Sequence, residues 1–298
     1  MKKEGILVQR GSVLGISFTV TTRERKSPFV RLFTKTPAGV ICPHFYELIL
    51  SNGCPYDCAY CYLRLTFRGK KDPVLYTNRW EKVEDEIRMA GPGVFSTGEL
   101  ADSLAVLPPL LPRAIEYFRT QKDKYLLLTT KSCNTKLFEE LSPTRQVIIS
   151  FSINAPEVAS KYERLAPSPF DRLNAATRLL ELGWRVRVRI DPVIIEGVQH
   201  DNISIYRKIC KIVGQLGVER VTVGTLRQYP GLHRFAPSAP RGGLVKAPDG
   251  RMRYSLSVRV RTYNMIAEWL GFEPALCKET YEVWEMLTWR YRGCNCTV

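Results

Sequence analysis

Gly53-Cys54-Pro55-Tyr56-Asp57-Cys58-Ala59-Tyr60-Cys61-Tyr62 is the stretch on which the reading of this chain turns. Its three cysteines, spaced Cys-x3-Cys-x2-Cys, follow an apolar run at 45–50. Such a loop can wrap three thiolates around one face of a cubane iron–sulfur cluster. Cubane clusters ordinarily take four cysteines, so three leave one iron open to an exogenous ligand. Zinc is the competing reading. Structural zinc wants four closed ligands, usually on Cys-x2-Cys pairs, and Cys42 or His44 would have to complete the set.

Outward from the loop, short apolar runs alternate with helical patterns, the signature of βαβ units and a parallel sheet. The pattern predicts strands at 45–50, 93–97, 125–130, 146–152, 185–190 and 220–226, with helices around 77–89, 106–121, 134–141, 168–182 and 201–216. Six such steps suit a partial (β/α)6 TIM-like barrel; a complete eightfold barrel typically needs ~250 residues. The expected fold is therefore α/β, with an N-terminal cap segment at 1–44 and the barrel at 45–226. Residues 227–298 would add a long loop, a C-terminal helical extension (256–270 and 278–291) and a cysteine-rich tail. Pro230, Gly231, Pro237, Pro240, Gly242 and Gly243 make 227–255 read as irregular. The cysteine loop would then stand at the C-terminal end of the first barrel strand, the face where barrel active sites gather.

Arg185-Val186-Arg187-Val188-Arg189-Ile190-Asp191 alternates with period two. In a barrel wrapped by helices the apolar face packs outward, which points the three arginines and Asp191 into the lumen. An exposed edge strand would give the same alternation. Lumen arginines need anions, from neighbouring carboxylates, a cofactor carboxylate or phosphate. Strand 146–152 alternates similarly, with Ser150, Ser152 and then Asn154 on the polar side.

The chain has 44 Lys plus Arg against 29 Asp plus Glu, a net charge of +15. Such an excess favours nucleic acid or other anionic partners. Arg64, Arg68, Lys70 and Lys71, just after the cysteine loop, would be candidates for phosphate docking, or a solvated basic face. Nine cysteines, three of them crowded at 54–61, do not resemble the spread framework of a secreted disulfide scaffold. No apolar run nears the ~20 residues of a membrane span, and Met1–Gly5 leads into too short a stretch for a signal peptide. A cytoplasmic protein with no membrane partner is expected. His44, His200 and His233 show no mutual ligand spacing.

The loop and its preceding strand resemble the radical S-adenosylmethionine (SAM) superfamily, whose hallmark is this three-cysteine loop after the first barrel strand. Within it, residues 53 to about 225 are similar to the spore photoproduct lyase family. The similarity lies in Cys61-Tyr62-Leu63, Phe151-Ser152-Ile153-Asn154, Pro167-Ser168-Pro169-Phe170-Asp171-Arg172-Leu173 and Pro192-Val193-Ile194. The resemblance implies a [4Fe–4S] cluster on Cys54, Cys58 and Cys61, with SAM chelated at the open iron. One electron, from a donor such as ferredoxin or flavodoxin, would cleave SAM to a 5′-deoxyadenosyl radical that abstracts hydrogen from a substrate. It also implies that Tyr60 lies against the adenine and Tyr62 neighbours the cluster. Lys131 and Ser132 would approach SAM from the third strand, and Ser152 and Asn154 would face it from the fourth. SAM's carboxylate is one anion for the arginine row, with Arg189 its candidate partner.

One departure is informative. The family places a hydrogen-donating cysteine four residues after a phenylalanine near the end of the second strand. Here Phe95 is followed by Ser96-Thr97-Gly98-Glu99, and a carboxylate cannot donate a hydrogen atom to a carbon radical. Gly98-Glu99 resembles instead the Gly-Glu segment with which many radical SAM enzymes hold the SAM amino group; a partner for a lumen arginine is the other role open to Glu99. A related radical reaction on another substrate is the expectation, with no catalytic residue assigned.

Cys277, Cys294 and Cys296 admit three readings: an auxiliary iron–sulfur cluster, a hydrogen-atom donor, or inert tail thiols. Cys42, Cys133 and Cys210 read as small buried residues. Three functions follow. The first is a lyase-like radical SAM enzyme acting on an anionic substrate, nucleic acid first. The second is a radical SAM enzyme acting on a peptide or metabolite with an auxiliary cluster. The third is a metal-bearing nucleic-acid-binding protein without catalysis.

Overall fold

Valine, isoleucine and leucine dominate the six expected strands, and all six form. In the computed structural model, which describes residues 6–13, 16–196 and 202–298, they are Phe45–Leu48, Gly93–Ser96, Lys124–Thr130, Val147–Ser152, Arg185–Val193 and Arg220–Thr225. They lie side by side in sequence order and all parallel. Two further strands extend this sheet to eight. Val30–Phe33 joins antiparallel to Phe45–Leu48, and Ala275–Leu276 joins parallel to Arg220–Thr225. The barrel sheet thus recruits strands from both the expected cap segment and the C-terminal extension. His200 and the first residue of the expected helix 201–216 lie outside the described residues, as do Met1–Gly5.

The expected helices appear as Trp80–Met89, Leu111–Arg119, Lys136–Glu140, Pro169–Glu181, Arg207–Gln215, Leu256–Leu270 and Tyr281–Leu287. Short helices at Leu63–Thr66 and Pro156–Tyr162 are additional. Helix Pro169–Glu181 opens with a capping box: Ser168 Oγ accepts from the Asp171 N–H, and Asp171 accepts from the Ser168 N–H. The stretch 227–255 is more ordered than its Pro and Gly content implies. Arg227–Gln228, Leu244–Lys246 and Met252–Tyr254 pair there into a small antiparallel sheet.

Strand alternation sorts the core into two layers. Val147, Ile149, Phe151, Val186, Val188 and Ile190 pack outward against the helices in the main core. Leu127 and Ile148 face the lumen with Phe45 and Val94, packed there against Cys294 and Cys296 of the C-terminal tail. Arg185–Val193 is a central strand, so the edge-strand alternative falls. Its lumen arginines are matched internally: Glu219 pairs with Arg185 and, at 3.0 Å, with Arg187. Their remaining N–H groups go to the backbone carbonyls of Arg145, Asn295 and Thr297, so no phosphate is needed to fill their hydrogen bonds.

The N-terminal ribbon, Leu7–Val13 with Ile16–Arg23, stands outside the barrel sheet. It builds a four-stranded sheet with Val74–Tyr76 and Ser51–Asn52, the two strands that bracket the cysteine loop in sequence. Among the described residues no helix is long and apolar enough to cross a membrane.

Candidate active site

The cysteine loop begins where only glycine fits. Gly53 has φ +79°, and a Cβ there would meet the Asp72 carbonyl oxygen at 2.3 Å and the Lys71 oxygen at 2.6 Å. Gly53→Ala is expected to cost more than about 1 kcal/mol, because two backbone segments must part, and to lower iron uptake by displacing Cys54. Thermal unfolding with iron analysis checks this; unchanged values would show that the loop tolerates the shift.

Beyond Gly53 the loop is braced from several sides. The Cys54 N–H donates to Lys71 O at 2.8 Å, and Asp57–Cys58 pairs antiparallel with Glu163–Arg164. Arg64 donates to Cys58 O at 3.1 Å and is paired with Asp57, while Lys71 donates to the Cys54 oxygen at 3.2 Å and to the Tyr56 oxygen. Arg64 and Lys71, expected as phosphate contacts, are therefore committed to the loop, because unmatched carbonyls lie closer to them than solvent. Arg68 and Lys70 remain exposed.

Cys54, Cys58 and Cys61 pack together and line one cavity of about 320 Å³, within the ~300–1,000 Å³ of small-molecule sites. Burial pushes all three thiols up, Cys58 to about 12, with Lys131 pulling Cys58 and Cys61 back. Metal binding must displace those protons. Among the described residues no three His, Cys, Asp or Glu converge on one metal ion. His44 is exposed and outside the cavity, and Cys42 lines it beside the tail cysteines, in a different packing cluster from the loop thiols. A four-ligand zinc site is therefore not assembled.

The other expected residues divide. Tyr60, Tyr62, Glu99, Lys131, Ser152 and Arg189 line the cavity. Tyr60 donates to Glu163, and its ring faces Lys131 Nζ at 5.7 Å. Tyr62 donates to the Glu99 carbonyl oxygen. Gly98 brings Glu99 in by close approach, since a Cβ on it would lie 2.5 Å from Thr129 Cβ. Desolvation raises the Glu99 carboxyl, opposed by the charges of Lys278 and Arg189. Arg189 is matched by sulfur on one side, and its Nε is buried without a hydrogen-bond partner.

Ser132 and Asn154 do not line the cavity. Ser132 Oγ accepts from the Asn134 N–H at 3.0 Å. Asn154 is buried behind the wall, donating to Glu163 at 3.0 Å and to Pro192 O at 3.1 Å and accepting from Tyr206 at 2.7 Å. Their hydrogen bonds are spent on the scaffold.

Of the other cavity residues, Asp102, Arg227, Tyr229 and Arg251 had no local signal, whereas Asp191 was expected to face the lumen. Asp102 accepts from Thr130 Oγ1, the Lys131 N–H, and the Leu104 and Ala105 N–H groups. Asp191 takes Arg227 at 2.8 Å on both oxygens, and burial, which would raise its carboxyl, is outweighed by Arg227 and Arg189. At the mouth Tyr62 and Tyr229 approach at 6.4 Å, and Arg251 lies 4.9 Å above Tyr229.

Cys277, Cys294 and Cys296 line the same cavity, and among the described residues they form no metal-ligating group. Arg189 contacts Cys277 Sγ at 3.7 Å and Cys296 Sγ at 3.3 Å, and Arg227 contacts Cys277 Sγ at 3.6 Å.

The partial barrel with a three-cysteine loop after its first parallel strand is the architecture of a radical SAM enzyme. Comparison with known proteins narrows this. The spore photoproduct lyase family profile matches residues 42–242, and the chain belongs to that family. The spore photoproduct lyase of Clostridium acetobutylicum is 26% identical over 219 residues, 70% of this chain and 62% of that protein. The chain thus spans less than two thirds of that relative. A spore photoproduct lyase complexed with dinucleoside spore photoproduct superposes with TM-score 0.67 at 17% identity, over 86% of this chain and 81% of that one. A variant lyase with bound AdoMet and dinucleoside spore photoproduct gives 0.68 at 17% identity and the same coverage.

Proposed function

We propose that this chain is a lyase-like radical SAM enzyme whose cavity holds a [4Fe–4S] cluster on Cys54, Cys58 and Cys61 with SAM beside it, acting on nucleic acid. The observation that carries this is the shared cavity. Three thiols on one loop, Glu99, Lys131, and Arg189 with its unpartnered Nε all open onto it. The donor set fits the groups: sulfur for iron, a carboxylate for an ammonium, a guanidinium for a carboxylate. The bound cluster and SAM would supply a 5′-deoxyadenosyl radical after one electron from a ferredoxin or flavodoxin.

The chain's own residues do the rest. Glu99 would accept from the amino group of SAM, and Arg189 would meet its carboxylate. Lys131 keeps positive charge against the thiolate wall; burial opposes its protonation, but Glu163 and the nearby thiols outweigh it. Tyr60, fixed through Glu163, offers an aromatic face.

Nucleic acid is supported by the net charge of +15 and by the mouth. Tyr62 and Tyr229 there present exposed rings, Tyr229 backed by the buried Arg251, surfaces on which bases can stack. In the lyases themselves the lesion is spore photoproduct; Glu99 at the donor position points to a related reaction on another nucleic-acid substrate.

Anaerobic reconstitution, iron counting and an assay for 5′-deoxyadenosine with dithionite and SAM test the chemistry. Binding to single-stranded and duplex DNA is then expected to weaken about 10³-fold or more between 50 and 200 mM salt if several phosphates dock. No binding at low salt would remove nucleic acid and leave a peptide or metabolite as the substrate class.

A further inference from the structure

The C-terminal tail carries chemistry that the cluster reading does not use. It returns into the barrel lumen and sets Cys294 and Cys296 on the cavity wall, packed over Leu127 and Ile148. The residue between them is the anchor. Asn295 is fully buried, and its backbone N–H donates to Thr222 Oγ1 at 2.9 Å. Its side-chain amide donates to Ser150 Oγ at 2.8 Å and to Val188 O at 3.0 Å, and its Oδ1 accepts from Thr222 at 2.7 Å. Arg187 holds Asn295 O at 2.8 Å, Arg220 holds Cys294 O at 2.8 Å, and the Thr297 N–H closes a turn on Cys294 O at 3.0 Å. The two cysteines are thereby fixed side by side.

Their sulfurs are not equivalent. Both face the cavity, and Arg189 Nη2 lies 3.3 Å from Cys296 Sγ alone of the two. The neighbouring Cys294 and the Arg189 charge hold the Cys296 thiol well below its usual range against burial, while Cys296 and burial push Cys294 up. A guanidinium-held sulfur beside a protonated one is the arrangement of an attacking thiolate and a resolving thiol.

We propose that Cys294 and Cys296 form a reversible dithiol–disulfide site on the cavity wall, with Cys296 the attacking and Cys294 the resolving sulfur, and a small disulfide as oxidant. The Cys296 thiolate attacks one sulfur of the disulfide RSSR, forming a mixed disulfide and expelling RS⁻. Cys294 gives its proton to that RS⁻ and attacks Cys296 Sγ, expelling the second RS⁻. The protein loses two electrons, which leave on the two small-molecule thiols. Oxidation takes the thiolate away from Arg189 and frees its guanidinium for an anion in the cavity. The dithiol shares its cavity and Arg189 with the proposed SAM site, but disulfide formation is read in a peptide and not as SAM cleavage, so the two tests fail separately.

The reconstituted holoenzyme is incubated anaerobically with oxidised glutathione, alkylated with iodoacetamide and digested with trypsin. Cleavage after Arg292 releases residues 293–298, which carry both thiols and no other cysteine. After oxidation this peptide is expected to be lighter by two hydrogens and unalkylated, and dithiothreitol should restore two alkylated cysteines. A peptide still doubly alkylated after oxidation, or one joined to Cys277 or Cys42, overturns the proposal. Cys277→Ala should leave the disulfide in place; its loss in that variant would assign the wrong partner. Arg189→Gln is expected to slow disulfide formation about tenfold, and an unchanged rate would remove Cys296 as the attacking thiolate.

Discussion

Cys58→Ala is expected to take iron content from about four atoms per chain to well below one and to abolish SAM cleavage. The loss should exceed about a hundredfold, the scale already reached when only a supporting residue around a metal site is removed. The fold should survive the change. Cys58 is placed by its backbone, through pairing with Glu163, the Arg64 bond to its carbonyl and the Cys61 N–H at 3.3 Å on that oxygen. None of these uses the thiol. Circular dichroism and thermal unfolding of the metal-free proteins should therefore nearly coincide while iron and 5′-deoxyadenosine differ. If the variant keeps its iron and its turnover, the cluster is held elsewhere and the cysteine loop has lost its assigned role.

Arg172→Met is expected to be the most destabilising single change, by about 3–5 kcal/mol, the usual result of stranding one partner of a buried ion pair. Arg172 and Glu163 are both buried and meet at 2.6 Å as charges, outside hydrogen-bond geometry. Arg172 also donates to Pro167 O at 2.9 Å and Ser152 O at 3.0 Å. It thereby ties helix Pro169–Glu181 to the barrel strand that carries Ser152. Glu163 in turn holds Tyr60 and Asn154, so the pair fixes the loop's aromatic wall.

The pH dependence gives this prediction a sign. Burial raises the Glu163 carboxyl, but Arg172 and Lys131 outweigh it and leave it below its usual value. A depressed carboxyl contributes stability above its unfolded pKa, about 4.3, and that stability is lost as pH falls through the folded value. Without Arg172, burial is expected to raise the same carboxyl above its unfolded value, so that the variant, unlike the parent, regains stability as this group protonates below pH 8. The deficit should therefore be largest near pH 8 and narrow toward pH 5. Urea denaturation at both pH values measures it. An equal deficit at each would mean that lost packing and carbonyl contacts, rather than the buried charge, dominate.

Much of the barrel was legible because its signals are local. A run such as Val147-Ile148-Ile149 or an Arg-Val alternation fixes strand and facing within a few residues. Val30–Phe33 and Ala275–Leu276 were not legible: they are short, and each forms only because a sheet edge is already there to pair with. The same holds in 227–255, where local Pro and Gly argued for irregular chain and cross-strand pairing overrode them.

At the site the division follows sequence separation. The cysteine loop, Glu99 after Gly98, and the facing of Arg189 could be read from spacing. Ser132 and Asn154 fall outside the cavity lining, since their positions on strand ends said nothing of the partners that claim them, Tyr206 being 52 residues from Asn154. Arg227 on Asp191, Lys278 beside Glu99, and the tail on Ser150 join residues across 36 positions in one case and 145 in another. By itself the sequence determined the parallel barrel, the thiol loop and a strongly basic chain, because periodicity and spacing are properties of neighbours. Only the tertiary structure decided which charges neutralise one another and which are left facing the cavity. Coulomb and hydrogen-bond energies depend on distance in space, and folding alone sets those distances.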